Sequence, residues 1–305
     1  MFWKLPALGK ISRIGITPPR PDPGRDGIAI ALIVKNEARH VGEWAAFHRR
    51  AGVRHFLIYD NGSHDGTIEV LRAVLPADAR TFVPWRQVFR DAWLGREIHN
   101  QVLAYAHAAS NFGGAFRWMA FIDADEFLIP KAAASIPEAL AHLGDARNLS
   151  LPWHMFGRSG HVAPPEGGVL GNYLRRARDP MSEVRGVRAF KCIVDPCHLT
   201  ALRVHSMETD GSRRTVNDAG AEVEEKERER PGFYSAAHLQ LNHYYTRSEE
   251  ELAAKIGRGP NLVAKSPEYE RKVRRTVQNI EADEVEDRSA LDYLARIGWE
   301  PCGPS

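Results

Sequence analysis

Short apolar runs alternate with helical patterns along the first 125 residues of the chain. The first run, Ile28 to Val34, is rich in β-branched residues and predicts a strand buried on both faces. Further apolar runs are His55 to Tyr59, Thr81 to Val83 and Trp118 to Ile122, and a longer helical pattern runs from about Gly95 to Ala109. Strands that alternate with helices are typical of a parallel α/β sheet. We therefore expect the residues that follow these strands to meet at the carboxyl edge of the sheet, where such folds bind ligands.

The second half of the chain has a less regular pattern. Leu149 to Phe156 and Val187 to Val194 are predicted strands. Residues 157–186 and 207–232 are rich in glycine, proline and charge, so we predict loops there. From Ser248 onward the pattern is helical, and three consecutive glutamates after this serine favour a helix N-terminus.

A length of 305 residues suits one large domain or two modest ones. We divide the chain into an N-terminal extension (1–27), an α/β domain (28–247) and a C-terminal helical segment (248–305) that packs on or beside the core. The first dozen residues place Phe2 and Trp3 near lysines, so peripheral contact with a membrane surface is one interpretation and a frayed or packed terminus is the other.

Composition and charge exclude several classes of protein. The 41 Lys and Arg residues against 39 Asp and Glu residues leave a net charge of +2, so we expect no nucleic acid polymer as a partner. Three cysteines exclude a disulfide framework. No apolar run approaches the roughly 18–20 residues that span a bilayer.

The strongest chemical signal is the segment Asp123-Ala124-Asp125, which directly follows the apolar run ending at Ile122. Carboxylate oxygens suit Mg²⁺ or Mn²⁺. Such a cation bridges to a diphosphate and neutralises charge as the diphosphate leaves. The alternative is an acidic turn or a helix N-terminus.

Polar residues also follow the first two predicted strands. Asp60 and Asn61 come at the end of the second strand, where an aspartate can accept from the N3–H of uracil or hold a ribose hydroxyl. The alternative is an Asx turn followed by a helix cap. Val34, Lys35 and Asn36 end the first strand, where a nucleotide would meet the first loop, unless Asn36 simply caps the next helix.

His243 and the cations after it form the last signal. A neutral imidazole would supply a third metal ligand beside the two aspartates. Lys255 and Arg258 would hold a departing phosphate. The alternative is a structural histidine.

Together these segments resemble GT-A-fold glycosyltransferases, specifically the family 2-like and family 92 group. The stretches that carry the resemblance occur in the family order and cover about residues 28–260; they are residues 33–37, 59–63, 118–128, 156–161 and 242–248. The resemblance implies an α/β, Rossmann-like fold with a mixed, mainly parallel sheet flanked by helices and a C-terminal helical tail.

The same resemblance implies a metal-dependent transfer of a sugar from a nucleoside diphosphate donor, with UDP favoured, to a glycan or other hydroxyl acceptor, with inversion. Carried over by position, Asn36 and Asp60 line the uridine pocket. Asp123 and Asp125 hold Mn²⁺ or Mg²⁺ and the donor diphosphate, with Ala124 also at the donor. His243 matches the C-terminal metal-binding histidine of these enzymes.

Three further positions follow from the resemblance. Arg96 and Gln101, on the predicted helix before the aspartates, face the donor. Lys191 meets phosphate or acceptor, with a surface lysine on a strand as the alternative.

An inverting enzyme needs a base on the face opposite the leaving group. The acidic pair usual in family 2 is not evident near residues 153–161, so the candidates are Glu166 and His161. Trp153 is either a platform on which a sugar stacks or part of the core.

Other functions fit the pattern less well. A haloacid dehalogenase-type phosphohydrolase carries its aspartates after the first strand, with Thr or Val where this chain has Phe127. A sugar-nucleotide pyrophosphorylase needs a glycine-rich loop that is missing after Val34. A non-catalytic protein that binds nucleotide sugars or carbohydrate on the same scaffold stays open. The alanine and arginine content favours a bacterial chain that builds surface polysaccharide in the cytoplasm, at the inner face of the membrane.

Overall fold

The computed structural model describes residues 9–258 and 267–299 of the chain. The strands are β1 (Ile14–Gly15), β2 (Ile28–Val34), β3 (His55–Asp60), β4 (Arg80–Pro84), β5 (Trp118–Phe121), β6 (Glu126–Pro130), β7 (Asn148–Phe156), β8 (Arg175–Ala177), β9 (Phe190–Val194), β10 (Leu199–Leu202), β11 (Met207–Thr209), β12 (Arg214–Val216), β13 (Glu222–Glu224), β14 (Leu239–Tyr244) and β15 (Glu284–Glu286). The helices are α1 (Ala38–Arg50), α2 (Thr67–Val74), α3 (Asn100–Phe112), α4 (Ile136–Leu140), α5 (Val169–Asn172), α6 (Glu249–Arg258), α7 (Pro267–Glu281) and α8 (Ser289–Arg296).

The main sheet joins a parallel half to a mixed half. Its order is β13-β12-β7-β9-β5-β2-β3-β4. The four apolar runs of the first 125 residues form the parallel strands β2, β3, β4 and β5. Beyond β5, β9 is antiparallel to both β5 and β7, and β14 lies between β6 and β7. The α/β fold class is therefore confirmed, with antiparallel strands concentrated in the second half.

Alternate residues of β2 face two different core clusters, as expected for a strand with helices on both sides. Ile30 belongs to the cluster that contains Trp44 and Phe47 of α1. Ala31 belongs to the cluster that contains Tyr105 of α3. Burying a large side chain such as Ile30 or Phe47 stabilises the fold by about 1.5–3 kcal/mol. The core therefore fixes the position of the sheet edge on which the polar residues lie.

The predicted helix from about Gly95 is wrong at its beginning, because α3 begins at Asn100. The segment before α3 folds back on itself instead. The amide of Ile98 donates to the carbonyl of Phe89, and Gly95 has a positive φ of 64°. A residue in the left-handed region does not continue a helix, so the backbone pairing prevails over the helical pattern.

The prediction of loops over residues 207–232 is also wrong in part. Strands β11, β12 and β13 lie in this stretch, and β12 pairs with β7 and β13. Each strand has three residues, which is too short for an alternating pattern to stand out among the charges.

Both ends of the described chain contact the α/β core. Near the N-terminus, β1 pairs with β10, and Ile11 forms a bridge with Ile98. Near the C-terminus, β15 pairs with β8, and Tyr293 of α8 lies in the main core cluster. The domain boundaries at residues 27 and 247 stay predictions. Within the described residues, no helix combines the length and the apolar character needed to cross a membrane.

Candidate active site

The paired aspartates lie in a tight turn between β5 and β6, at the carboxyl edge of the parallel strands. The amide of Glu126 donates to the carbonyl of Asp123 at 3.1 Å, and the Glu126 carboxylate accepts from the amide of Asp123 at 2.8 Å. Ala124, between the aspartates, is buried. These bonds fix the backbone of the turn and therefore the Cα positions from which the two aspartate side chains extend.

Asp123 has a polar partner at each carboxylate oxygen. Gln101 at the start of α3 donates to Oδ1 at 2.6 Å. Lys191 of β9 donates to Oδ2 at 2.8 Å, and its Nζ lies 3.5 Å from Glu126. Gln101 and Lys191 are thus both brought to the aspartate turn.

Lys191 is only 1% exposed, so the alternative of a surface lysine is wrong. Burial alone would lower the pKa of this ammonium, but Asp123 and Glu126 raise it well above its ordinary value. Burial raises the pKa of Glu126, and Lys191 opposes that shift. The site thus contains a buried cation flanked by two carboxyl groups.

Asp125 faces the last strand of the site. Its Oδ2 lies 3.5 Å from Nε2 of His243 on β14 and 3.8 Å from Nζ of Lys255 on α6. The carbonyl of Asp125 accepts from the amide of Tyr244 at 2.8 Å, which holds the turn against β14. Burial opposes ionisation of Asp125, yet His243 and then Lys255 lower its pKa.

These residues fit a divalent cation held by two protein ligands. Nδ1 of His243 and Oε1 of Glu126, 3.9 Å apart, are buried without hydrogen-bond partners among the described residues. No group of three His, Cys, Asp or Glu side chains in the described ranges is arranged to hold a metal ion. Mg²⁺ commonly binds through one or two carboxylates, with substrate phosphates and water completing its shell. The Asp125 carboxylate meets that requirement, and a neutral imidazole such as His243 is a second ligand that Mn²⁺ accepts. Each Asp123 oxygen accepts one hydrogen bond, and its predicted role as a metal ligand stays a prediction.

The ends of β2 and β3 form a second polar edge. Asn36, with a φ of +55°, exchanges hydrogen bonds with His64, and the Asp60 carboxylate accepts from the amide of Ser63. The carbonyl of Val34 accepts from the amide of Asn61. This is the predicted edge, and its hydrogen bonds agree with the alternative of a polar turn. Roles for these residues in donor binding stay predictions.

Asp65 supplies the helix cap that the alternative interpretation anticipated. One of its carboxylate oxygens accepts from the amide of Ala38, at the start of α1. The other accepts from the amide of Thr67, at the start of α2. Hydrogen bonds to this carboxylate lower its pKa even though burial acts in the opposite direction.

Three further residues were predicted to contact the donor: Arg96, Lys35 and Arg258. The Arg96 guanidinium donates to the carbonyl of Gly9 at 2.8 Å, and Arg96 precedes α3, so its predicted position on a helix is wrong. The reason is that residues 89–98 fold back before α3 begins. Lys35 is exposed after β2. Arg258 ends α6, but its side chain lies outside the described part of the structure.

The two candidate bases lie on the loop before α5. Nε2 of His161 is hydrogen-bonded to the carbonyl of Asn172 at 3.0 Å. Glu166 is exposed, and its carbonyl accepts from the side chain of Asn172. Among the described residues, no hydrogen bond or ion pair joins either side chain to the aspartate turn. Their catalytic roles therefore stay untested predictions without support from this geometry.

Trp153 lies between two histidines at the site. Its ring centroid is 4.4 Å from that of His243 and 5.3 Å from that of His205. The indole is half-buried, and its Nε1 has no hydrogen-bond partner in the described ranges. This position combines the two interpretations of Trp153, because the ring packs on the core and also borders the site.

Sequence reasoning missed the residues beside Gln101. A cavity of about 510 Å³ is lined by Ser12, His99, Gln101, Arg203, Val204, His205, Ser206, Glu225 and Arg228. Arg228 lies in the charge-rich stretch 207–232 that was predicted as a loop, yet it is only 8% exposed and donates to the carbonyl of His205. A lone histidine and one arginine within a charge run have no spacing that predicts a site.

Comparisons with known proteins identify the family of this chain. A model of glycosyltransferase family 92 matches residues 30–281. A glycosyltransferase family 92 protein of Ricinus communis is 28% identical over 216 residues, which cover 66% of this chain and 36% of that protein. One of Oryza sativa subsp. japonica is 30% identical over 159 residues, which cover 50% of this chain and 25% of that protein.

Solved structures show weaker likeness. S. aureus TarS in complex with UDP-GlcNAc is 12% identical with a TM-score of 0.38, covering 89% of this chain and 71% of that chain. Glucosyl-3-phosphoglycerate synthase from Mycobacterium tuberculosis, in complex with Mn²⁺, UDP-glucose and phosphoglyceric acid, is 17% identical with a TM-score of 0.31, covering 58% and 59%.

The sheet order, the flanking helices and the aspartate turn after β5 define a mixed α/β fold with a polar site at the carboxyl edge of its parallel strands. Since the family model matches most of the chain, the protein belongs to glycosyltransferase family 92. The chain spans between a quarter and about a third of the length of the two curated relatives described above. Those relatives are plant proteins, so they give no support to the bacterial origin expected from composition.

Proposed function

We propose that this protein transfers a sugar from a UDP-sugar to a hydroxyl of a glycan or similar acceptor, with a divalent cation and with inversion. Family membership supports the reaction class. The observation that carries the proposal is the aspartate turn, where Asp123 is held by Lys191 and Gln101 while Asp125 faces His243.

Each part of the site has a task in this reaction. Asn36 and Asp60 bind the nucleoside at the ends of β2 and β3. Asp125 and His243 hold Mn²⁺ or Mg²⁺, which neutralises charge on the diphosphate when it is bound. Lys191 and Gln101 keep the Asp123 carboxylate in one orientation, and a group fixed in advance costs less to order when the donor binds.

Isothermal titration of UDP tests the proposal, with and without Mn²⁺, on the wild type and on Asp125→Ala. We expect UDP binding that needs the metal and that Asp125→Ala abolishes. Asp292→Ala is the matched control, because Asp292 is an exposed aspartate in the first turn of α8. Release of UDP from UDP-glucose, UDP-galactose and UDP-N-acetylglucosamine is then measured for turnover.

The outcomes separate the alternatives. UDP affinity that changes neither with Mn²⁺ nor with Asp125→Ala would contradict the metal site. Binding without turnover of any donor would favour a non-catalytic protein that binds nucleotide sugars. Absence of UDP binding in both conditions would contradict UDP as the nucleotide.

We also propose that the N-terminal side of the molecule makes peripheral contact with a membrane surface. Trp93 is 92% exposed and Leu94 is 54% exposed, at the tip of residues 89–98. The amide of Ile11 donates to the carbonyl of Glu97, so the N-terminal segment runs beside this tip. Residues 1–8, which carry the aromatic and lysine residues noted in the sequence, lie outside the described residues.

A further inference from the structure

One residue, Gln101, links the cavity to the aspartate turn. Gln101 lines the cavity and also donates to Asp123. His205, in the connection between β10 and β11, lines the same cavity although it is far from Gln101 in the sequence. A group bound in this cavity would therefore lie one side chain away from Asp123 of the aspartate turn.

Hydrogen bonding fixes the tautomer of His205. Nδ1 lies 2.9 Å from the carbonyl oxygen of Phe190. Because a carbonyl oxygen only accepts, Nδ1 must carry the proton, and Nε2 of the neutral ring has a free lone pair. No described residue forms a hydrogen bond with this Nε2. An imidazole held in this way is poised to accept a proton.

The loop that carries His205 is held from behind. Arg228 donates to the carbonyl of His205 at 2.8 Å and to the hydroxyl of Ser150 at 3.2 Å. The guanidinium also lies 4.5 Å from the ring centroid of Phe190, the residue that accepts from His205. Arg228 therefore holds the backbone of the loop, and the bond to Phe190 orients the imidazole itself.

Burial, with help from nearby cations, keeps the ring of His205 neutral. Burial lowers the pKa of His205, and the cations Lys191 and Arg228 lower it further, while the Phe190 carbonyl and Asp123 act in the opposite direction. The net shift is downward. At neutral pH the ring is therefore the unprotonated form, which is the form that a base requires.

Unpartnered polar atoms surround the same cavity. Ser206 is 5% exposed, and its hydroxyl has no hydrogen-bond partner in the described ranges. Nδ1 of His99 is likewise buried without a partner. A buried polar group without a partner is rare, and a polar ligand is one of the reasons for it. A polar group bound in the cavity would supply the hydrogen-bond partners that these atoms lack.

We propose that this cavity binds the acceptor and that Nε2 of His205 is the base that takes the proton from its reacting hydroxyl. The inference rests on the proposed function, because it concerns the acceptor side of that reaction. The acceptor oxygen forms a bond to the anomeric carbon as its proton passes to Nε2, and the bond from that carbon to the diphosphate breaks. The nucleoside diphosphate leaves with the electron pair, and His205 later releases the proton to solvent.

His205→Asn is the first test, because the asparagine amide can still donate to the Phe190 carbonyl but offers no basic nitrogen. The assay measures UDP release from UDP-glucose, UDP-galactose and UDP-N-acetylglucosamine, with water or with glucose, galactose or lactose as acceptor. We expect kcat to fall by about 10²- to 10⁴-fold. KM for the donor and the affinity for UDP should change by less than about threefold, since donor contacts remain.

A second variant separates a base from a structural histidine. Added imidazole should raise kcat of His205→Ala by at least about tenfold, because a free base can occupy the space left by the ring. A histidine that only supports the fold would give no recovery, and that result would overturn the proposal. His205→Gln serves as the substitute if His205→Asn fails to fold, judged by its thermal unfolding and UDP binding.

The control is His198→Asn, at the opposite end of β10, where His198 pairs with Asp210. It should leave kcat unchanged. Full turnover by His205→Asn would overturn the role of His205 and leave the proposed function intact. A wild-type protein that binds UDP but turns over no donor would contradict the proposed function itself, and the assignment of a base would fall with it.

Discussion

Lys191 links the chemistry of the site to the stability of the fold. Its ammonium is buried between Asp123 and Glu126, and Glu126 is completely buried. A buried charge is tolerated only when it is paired. The three groups therefore behave as a unit in which each member depends on the others.

Replacing Lys191 tests this unit. Lys191→Met leaves the two carboxyl groups without their cation, and losing one partner of a buried pair costs about 3–5 kcal/mol. We expect the free energy of unfolding at pH 8 to fall by about 3 kcal/mol, measured by urea denaturation. Lys131→Met is the control, because Lys131 is half-buried and donates to the neutral side chain of Gln240.

The free energy of unfolding lost in Lys191→Met should depend on pH, and the ionisation of Glu126 determines the direction of that dependence. Burial raises the pKa of Glu126, so the native carboxyl keeps a proton that an unfolded glutamate, with a pKa of about 4.3, has released. Stability from this group therefore falls as pH rises through that window. Without Lys191 the pKa of Glu126 rises further, so the variant should be closer to wild type at pH 5 than at pH 8. A loss equal at both pH values would contradict the coupling.

The aspartates were predictable from the sequence and His205 was not, for a physical reason. Asp123 and Asp125 follow an apolar run, and a strand end is a position that a sequence pattern defines. His243 joins them because β14 pairs with β6, a contact between distant parts of the chain. His205 reaches the site through a short loop after β10, where no periodicity marks a residue as buried or functional.

At the scale of elements, the parallel strands were predictable and the segment before α3 was not. An apolar strand buried on both faces has a continuous run of apolar residues, so β2 and β5 stand out in the sequence. Residues 89–98 instead depend on a bridge between Ile98 and Ile11, two residues that are far apart in the sequence. Helical spacing in a sequence does not report such a distant partner.

The exposed tip of residues 89–98 gives a prediction about membranes. Replacing Trp93 and Leu94 with serine should lower co-sedimentation with vesicles of phosphatidylcholine and phosphatidylserine by at least about tenfold, because about 1.4 kcal/mol of interfacial burial is a tenfold effect. Val162→Ser with Val184→Ser is the control, since these valines are 71% and 48% exposed. Equal binding by both double variants would count against contact through this tip.

At the scale of the whole molecule, Asp195 joins three parts of the chain away from the site. It is 3% exposed and accepts from Arg25, which precedes β2, at 2.6 and 2.8 Å. It also accepts from Arg117, which precedes β5, at 3.2 Å. Asp195 follows β9, whereas Lys191 lies near the beginning of that strand. One short strand thus connects the ion pair at the base of the sheet with the aspartate turn at its carboxyl edge.

Stability and donor binding should therefore separate at Asp195. Asp195→Ala leaves two arginines without their buried partner, and we expect unfolding to require about 2 kcal/mol less, a value below that for a fully buried pair because both guanidinium groups are partly exposed. Asp210→Ala is the control, since its carboxylate is 44% exposed and pairs with Arg147 and His198. That variant should lose less than about 1 kcal/mol. UDP affinity should stay within about twofold of wild type in Asp195→Ala, because the aspartate turn keeps its own partners. A large loss of UDP binding together with full stability would show that the two ends of β9 do not act separately.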